Sequence, residues 1–187
     1  MGQVDGTANP KLGTEDFNQV VWIDSGPSWI QGGTLLAFRR IAMQLDTWDQ
    51  LGTTSKEEVI GRKLSNGAPL TGEKESDTPD LAARHPNGLT VIPDFAHIRR
   101  AAPGAEGERI FRRPFSYDAG ILKSGSVDVG LLWTAYNRNL ETQFIPIQRR
   151  LDELDLLNSW TVPIGSAEFA IAGGPGPGEV IAEGLFS

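Results

Sequence analysis

Histidine is the scarcest reactive side chain here, since only His85 and His97 occur among 187 residues. His85 precedes Pro-Asn-Gly, a turn signal, so it is interpreted as an exposed loop residue. His97 follows the mostly apolar residues 91–96. A lone imidazole in that setting is either a satisfied core or surface residue or the single axial ligand of a heme, which needs one imidazole and an apolar wall. A cluster of histidines around a metal is disfavoured, because without cysteine it would need carboxylates.

Two other segments place charged residues in unusual settings. Asp5 lies in the Gly-rich residues 2–10, and by default this is a turn in which the carboxylate caps a backbone N–H. Arg112 and Arg113 stand among apolar and aromatic residues. That context suggests that one guanidinium points inward, where it would need an anionic partner.

The elements that must position these residues follow from periodicity. Residues 20–23 are a brief β-prone run, and residues 34–45 predict a longer strand. Two short helices are predicted after that strand, the second from a capping-box pattern at residues 55–58. Residues 130–136 predict a second buried strand, which should pair with residues 35–41.

The second half of the sequence carries one clear helix. Apolar residues recur every three or four positions from Phe144, which predicts an amphipathic helix with Pro146 near its first turn. Residues 164–171 are ambiguous between helix and strand. Residues 62–109 are predicted to be mostly irregular, and so long a segment usually lines a ligand site. Residues 173–187 are predicted to be a mobile or draped tail. The result is an α+β fold with an antiparallel sheet.

Composition excludes several classes of function. The net charge of −7 argues against nucleic acid as a partner. The apolar stretches are far shorter than the roughly 20 residues that span a bilayer, so no membrane span is expected. We also expect no secretory signal on this chain. The absence of cysteine excludes disulfides and thiolate-bound metals and leaves the compartment open.

Several motifs, taken in order, resemble the dye-decolourising (DyP-type) peroxidase family of heme enzymes. The first is Gly2-x-x-Asp5-Gly6-Thr7, whose longer form, Asp-Gly-Thr-Ala-Asn-Pro, is similar to the secreted, deferrochelatase-like branch. The other matching segments are residues 33–49, 60–63, 67–70, 96–99, 109–113, 130–133, 144–150 and 165–167. The resemblance covers nearly all of the chain.

The resemblance implies a ferredoxin-like α+β fold, with an antiparallel sheet, helices on one face and a long loop lining a bound heme b. It implies that His97 is the axial ligand of the heme iron. A carboxylate on the other ring nitrogen would add electron density to the iron. Asp152 and Asp155 are both candidates for that carboxylate.

The resemblance also implies distal residues. Asp5 would be the distal carboxylate and Arg112 the distal arginine, with Arg113 as the alternative. Cleaving hydrogen peroxide requires a proton moved between its oxygens and positive charge near the departing hydroxide, which a carboxylate and a guanidinium supply. Asn9 and Arg40 could bind a heme propionate.

Leu132 and Trp133 fall where the family places apolar residues over the distal heme face, although packing in the core is an equal alternative. Trp133 replaces the commoner Phe. Pro114, where this branch more often has Gly, stiffens the turn beside Arg112.

The activity implied is a heme peroxidase that reduces hydrogen peroxide and oxidises dyes, phenolics or similar aromatic donors. The alternative is a heme-handling protein that releases iron from heme, with incidental peroxide turnover. The matched motifs belong to the C-terminal half of the family's chain. We therefore expect a split enzyme whose N-terminal half is a separate polypeptide, in preference to a truncated product or an independent half. A missing half-sheet would leave apolar surface that invites this partner.

Overall fold

An antiparallel sheet is the centre of the fold. The computed structural model describes residues 8–105, 107–123 and 125–185. Its strands are β1 (Thr34–Met43), β2 (Phe111–Arg112), β3 (Phe115–Ile121), β4 (Val127–Asn137) and β5 (Thr161–Ile171). Their order is β2-β4-β1-β5, and β3 also pairs with β4. The helices of the described ranges are α1 (Glu15–Val21), α2 (Leu45–Asp49), α3 (Thr53–Ile60), α4 (His97–Arg100) and α5 (Ile145–Leu154), with short 3-10 turns between some of them.

The predicted pairing of the two long strands is confirmed. Leu35 lies opposite Asn137, and Ile41 lies opposite Leu131 in antiparallel register. The ambiguous residues 164–171 are part of β5, which pairs with the other side of β1. The α+β class and the antiparallel sheet are therefore confirmed.

The two faces of the sheet carry different helices. We call the face that includes Trp133 the α5 face, because the Trp133 ring lies 5.8 Å from the ring of Phe144, at the start of α5. Phe111 points to the opposite face, where its ring lies 5.0 Å from that of Phe17 in α1. The expectation of helices on one face is therefore wrong, because α1 and α5 pack on different faces.

Helix α1 replaces the β-prone run expected at residues 20–23. The Thr14 hydroxyl accepts a hydrogen bond from the backbone N–H of Phe17, which caps the helix. Phe17, Val20 and Val21 are buried together in one cluster. Their spacing of three and four residues places them on one side of a helix, and this burial outweighs the local β propensity.

The other predicted helices are confirmed, with different caps. Two short helices, α2 and α3, follow β1, but α3 begins after Gly52 and Ser55 does not cap it. Helix α5 carries Pro146 in its first turn, as predicted. A π-helical turn capped by the Asn139 side chain precedes it, spanning Leu140–Phe144.

The predicted long irregular segment is confirmed over residues 62–96, and α4 follows it. Hydrogen bonds from cationic side chains to main-chain carbonyls stabilise its backbone. The donors are Arg62, Lys63 and Arg99. The accepting oxygens belong to Gly67, Glu75, Gly72, Leu81 and Ile92. These bonds organise a segment that has little regular structure of its own.

The tail from residue 173 remains irregular apart from the 3-10 turn Glu183–Leu185, which contacts the turn Ser28–Ile30. Its mobility stays a prediction. Among the helices that the structure describes, none combines the length and apolarity needed to cross a bilayer.

Candidate active site

His97 is the first residue of α4 and is held by a buried carboxylate. Its Nδ1 lies 2.7 Å from Oδ2 of Asp155. The Asp155 side chain is 2% exposed, whereas that of His97 is 32% exposed. A buried carboxylate accepts, so we assign the ring proton to Nδ1, which leaves the lone pair of Nε2 facing away from Asp155.

Asp155, and not Asp152, is the carboxylate partner of His97. Asp155 lies just beyond the last residue of α5, and its Oδ1 accepts the backbone N–H of Leu157 at 3.0 Å. Asp152 instead accepts from Gln148 Nε2 at 2.6 Å, on the exposed side of the helix. The two alternatives are thus separated by the turn that ends α5.

Two arginines tie α4 to α5. Arg100 Nε donates to the carbonyl of Arg150 at 3.1 Å, and Arg150 Nε donates to the carbonyl of Arg100 at 3.3 Å. Arg150 also pairs with Glu108 at 2.7 Å. The backbone N–H of Gly104, followed by Arg150, lowers the pKa of Glu108. The helix that carries His97 is therefore fastened at both ends.

Gly61 allows α4 to lie close to the end of α3. Its φ is +88°, in the left-handed region that favours glycine. A Cβ atom built there would lie 2.6 Å from Cγ1 of Ile98, the residue after His97. Any other residue would push against α4.

Arg112 lies on the α5 face. It pairs with Ala135 of β4, so the two side chains point to the same face. Trp133 points to that face as well, because residues two apart in a strand point the same way. Arg113 therefore points to the opposite face. There it lines a cavity of about 300 Å³ with aromatic side chains and Val21. The aromatic lining residues are Phe17, Trp22, Phe111, Phe115 and Tyr136. Of the two arginines, Arg112 lies on the same face as α5, the helix that ends just before Asp155, the partner of His97.

Asn9 binds the backbone of Arg112. Its Nδ2 donates to the Arg112 carbonyl at 2.7 Å, and its Oδ1 accepts the Arg112 N–H at 3.0 Å. Both polar atoms of the amide thus contact β2, and the contact of Asn9 with a heme propionate stays a prediction. Asp5 lies outside the described residues.

Arg40 and Leu132 lie on the face of the sheet away from α5. Arg40 pairs with Asp128 at 2.6 Å and lies 4.6 Å from the centre of the Tyr117 ring. Leu132 is opposite Arg40 in register, so both belong to the face away from α5. Adjacent residues of a strand point to opposite faces, so Leu132 and Trp133 cannot line one site together. The contribution of Arg40 and Leu132 to a heme site stays a prediction, and both residues lie on the face opposite Trp133.

Two residues on the α5 face were missed. Leu131 shares this face with Trp133, and Arg39 lies opposite Trp133 in register. The Arg39 guanidinium lies 5.3 Å from the centre of the Phe144 ring. Burial lowers the pKa of Arg39, against the carboxylates of Asp152 and Glu168. Counting residues two apart from Trp133 could have identified Leu131 from sequence.

Comparison with known proteins decides the family. Residues 1–175 match the family model described as Dyp-type peroxidase, C-terminal. The chain belongs to the DyP-type peroxidase family. The resemblance inferred from its motifs is thereby confirmed, and the segments that carry those motifs supply His97 and Arg112.

DyP-type relatives align over almost all of this chain. The dye-decolorizing peroxidase of Thermobifida fusca is 42% identical over 177 residues, which are 91% of this chain and 41% of that protein. A deferrochelatase of Yersinia pestis is 37% identical over 176 residues, 90% of this chain and 40% of that protein. An X-ray generated oxyferrous complex of DtpA from Streptomyces lividans has a TM-score of 0.92 and 39% identity, covering 100% of this chain and 52% of that one. The chain thus spans about half the length of these relatives or less.

Proposed function

We propose that this chain binds heme b in a DyP-type peroxidase that reduces hydrogen peroxide and oxidises aromatic donors. The observation that carries the proposal is the His97–Asp155 pair, because a buried carboxylate holds Nδ1 and leaves Nε2 to bind a metal. Family membership and the oxyferrous state of the DtpA relative support iron as that metal.

The residues present fit a heme. His97 would hold the iron through Nε2, and Trp133 with Leu131 would face it from the sheet. When bound, the heme supplies an iron centre that exchanges electrons with peroxide and with the donor. Arg39 offers a part-buried cation on the same face, where a carboxylate side chain of the heme would find a partner.

Asp155 controls the imidazole. Its carboxylate keeps the proton on Nδ1, fixes the ring plane and makes Nε2 a stronger electron donor. Because Asp155 also accepts from the N–H of Leu157, its own orientation is set by the turn after α5. Asp155 acts through His97 and is a positioning residue.

Arg112 and Asp5 would act on peroxide. The Arg112 guanidinium would stabilise negative charge on the departing hydroxide. The Asp5 carboxylate would take a proton from one peroxide oxygen and return it to the other, so that water leaves. A fixed cation beside a proton carrier would assist heterolysis of the O–O bond, for which a bound heme would supply the two electrons.

The N-terminal half of the family's fold is the proposed partner of this chain. The face away from α5 exposes large apolar side chains, with Phe115 at 54% and Phe169 at 53% exposure. Phe115 is opposite Leu132 in the sheet, so Leu132 of β4 belongs to the same apolar surface. Covering it would remove apolar area from water, which stabilises association.

Iron release from heme is the second candidate function. The 37% identity to a deferrochelatase favours it. That activity would leave free protoporphyrin, whereas a peroxidase would leave an oxidised donor. Asp5→Asn should abolish peroxide turnover and leave iron release unchanged if release is the main activity.

The test is an absorption spectrum of the chain expressed with heme, followed by one equivalent of peroxide and then an aromatic donor. A sharp Soret band that changes with peroxide and recovers with the donor supports the proposal. If the chain alone holds no heme, it is expressed together with the N-terminal half of a family member. Failure of that pair to hold heme or to react with peroxide would overturn the proposed function.

A further inference from the structure

The strand that carries Arg112 has an unusual support. Strand β2 is two residues long and lies at the edge of the sheet. On one side it pairs with β4, through Phe111 opposite Tyr136 and Arg112 opposite Ala135. A two-residue edge strand has few ladder hydrogen bonds, so its outer groups would otherwise face water and the strand would fray readily.

Asn9 occupies the outer side of β2. Its amide accepts the N–H of Arg112 and donates to the carbonyl of the same residue, at 3.0 and 2.7 Å. An amide side chain offers a donor and an acceptor in the plane of a peptide group, so Asn9 takes the place of one residue of a further strand. Both bonds go to the one residue of β2 that points to the α5 face.

The backbone around Asn9 is restricted in advance. Pro10 follows it and is buried, and a residue before proline is confined to extended conformations. The amide therefore approaches Arg112 from a segment with little freedom of its own. Little conformational entropy is lost when the two bonds form.

We propose that Asn9 is a positioning residue that holds the Arg112 guanidinium in register with the active site. The proposal rests on the proposed function for the role of Arg112, and it adds a link between two motifs. One amide thus ties the segment that precedes α1 to the strand of Arg112.

Hydrogen exchange tests the clamp without heme or peroxide. In Asn9→Ala the amide proton of Arg112 should exchange faster by about two- to tenfold, as expected for the loss of one hydrogen bond. The control is Asn139→Ala, which removes the amide that caps the turn before α5 and leaves β2 untouched. Equal exchange at Arg112 in Asn9→Ala and the parent protein would overturn the proposal.

A double-substitution cycle tests the positioning role in the protein with heme bound. Asn9→Ala should lower the second-order rate constant with peroxide by about tenfold or more, and Asn9→Gln, which restores donor and acceptor, should recover part of it. In the Arg112→Leu background, Asn9→Ala should have no further effect, because Asn9 acts through Arg112. An equal loss in both backgrounds, or an equal loss in Asn139→Ala at matched stability, would assign Asn9 a structural role only and overturn the proposal.

The two proposals fail in distinguishable ways. If the parent protein does not react with peroxide, the proposed function fails, whereas hydrogen exchange at Arg112 still decides whether Asn9 clamps β2. If the parent reacts and the cycle is additive, the peroxidase proposal stands and the positioning role of Asn9 is wrong.

Discussion

His97 and Arg112 are held in opposite ways. His97 starts a helix that is fastened by Asp155, by the exchange of bonds between Arg100 and Arg150, and by close packing beneath Ile98. Arg112 lies on a two-residue edge strand whose outer side is bound by one amide. Several of the described contacts fasten the helix of His97, whereas the described contact on the outer side of β2 is the Asn9 amide. In the proposed site, the imidazole would thus stand on a fastened helix and the guanidinium on a short strand.

The largest expected effect is at His97, the proposed ligand of the heme iron. His97→Ala should lose heme, or hold it with a changed Soret band, because no other group of α4 can replace the imidazole. The measurement is the heme content after gel filtration, and the control is His85→Ala, which should bind heme like the parent protein. Retained axial imidazole signals in His97→Ala would sink the assignment, leaving His85 as the ligand.

The next largest effect is expected at the edge strand. Arg112→Leu should bind heme and react with peroxide about 100-fold more slowly, since one charge-stabilising group is lost. Stopped-flow measurement of the peroxide-dependent absorption change gives the rate constant. Arg113→Leu is the matched control, because Arg113 points to the face away from α5. If the losses for Arg112 and Arg113 were reversed, the side chain that serves the site would be Arg113.

Substitution of Asp155 separates support of the fold from tuning of the metal. Asp155→Ala should lower the free energy of unfolding by about 2 kcal/mol, because the N–H groups of His97 and Leu157 lose their acceptor. Asp155→Asn can still accept from Leu157 but no longer offers a carboxylate to the imidazole. We expect it to raise the reduction potential of bound heme with a smaller loss of stability. An unchanged potential would show that Asp155 is structural only.

The smallest effect is expected at Glu108, which supports α4 through Arg150. The N–H of Gly104 and Arg150 hold the pKa of Glu108 below its usual range. Its contribution to stability is therefore complete above the unfolded pKa near 4.3 and is lost as pH falls through the lower folded pKa. Glu108→Gln should lower Tm at neutral pH and flatten its fall in acid. Glu153→Gln, at an exposed pair with Arg100, should change neither.

The long elements could be predicted from the sequence because their periodicity is strong. β1, β4 and α5 each repeat an apolar pattern over many residues, and each formed where expected. Strand β2 has two residues and therefore no period to detect. Helix α1 was missed because local β propensity at residues 20–23 opposes the burial of Phe17, Val20 and Val21.

The family resemblance names His97 and Arg112 as site residues, and these roles stay predictions. The choice between Asp152 and Asp155 as the partner of His97 depended on where α5 ends, because helix boundaries are poorly defined by sequence. Leu132 and Trp133 are adjacent in β4 and therefore point to opposite faces, which strand alternation predicts from the sequence. The sequence did not single out Arg39, because β1 is apolar on both sides and its pattern does not reveal which face meets α5.

Gly61 gives the family's Ile-Gly-Arg motif a meaning apart from the loop that follows it. Its missing side chain leaves the space in which Ile98 lies. A methyl group there would displace Ile98. Displacement of Ile98 would rotate α4 about its own axis and tilt the imidazole plane of His97. Substitution of Gly61 would therefore change how the His97 imidazole interacts with a bound heme iron, although Gly61 itself does not line the site. The change would be detectable in the magnetic resonance spectrum of the ferric heme.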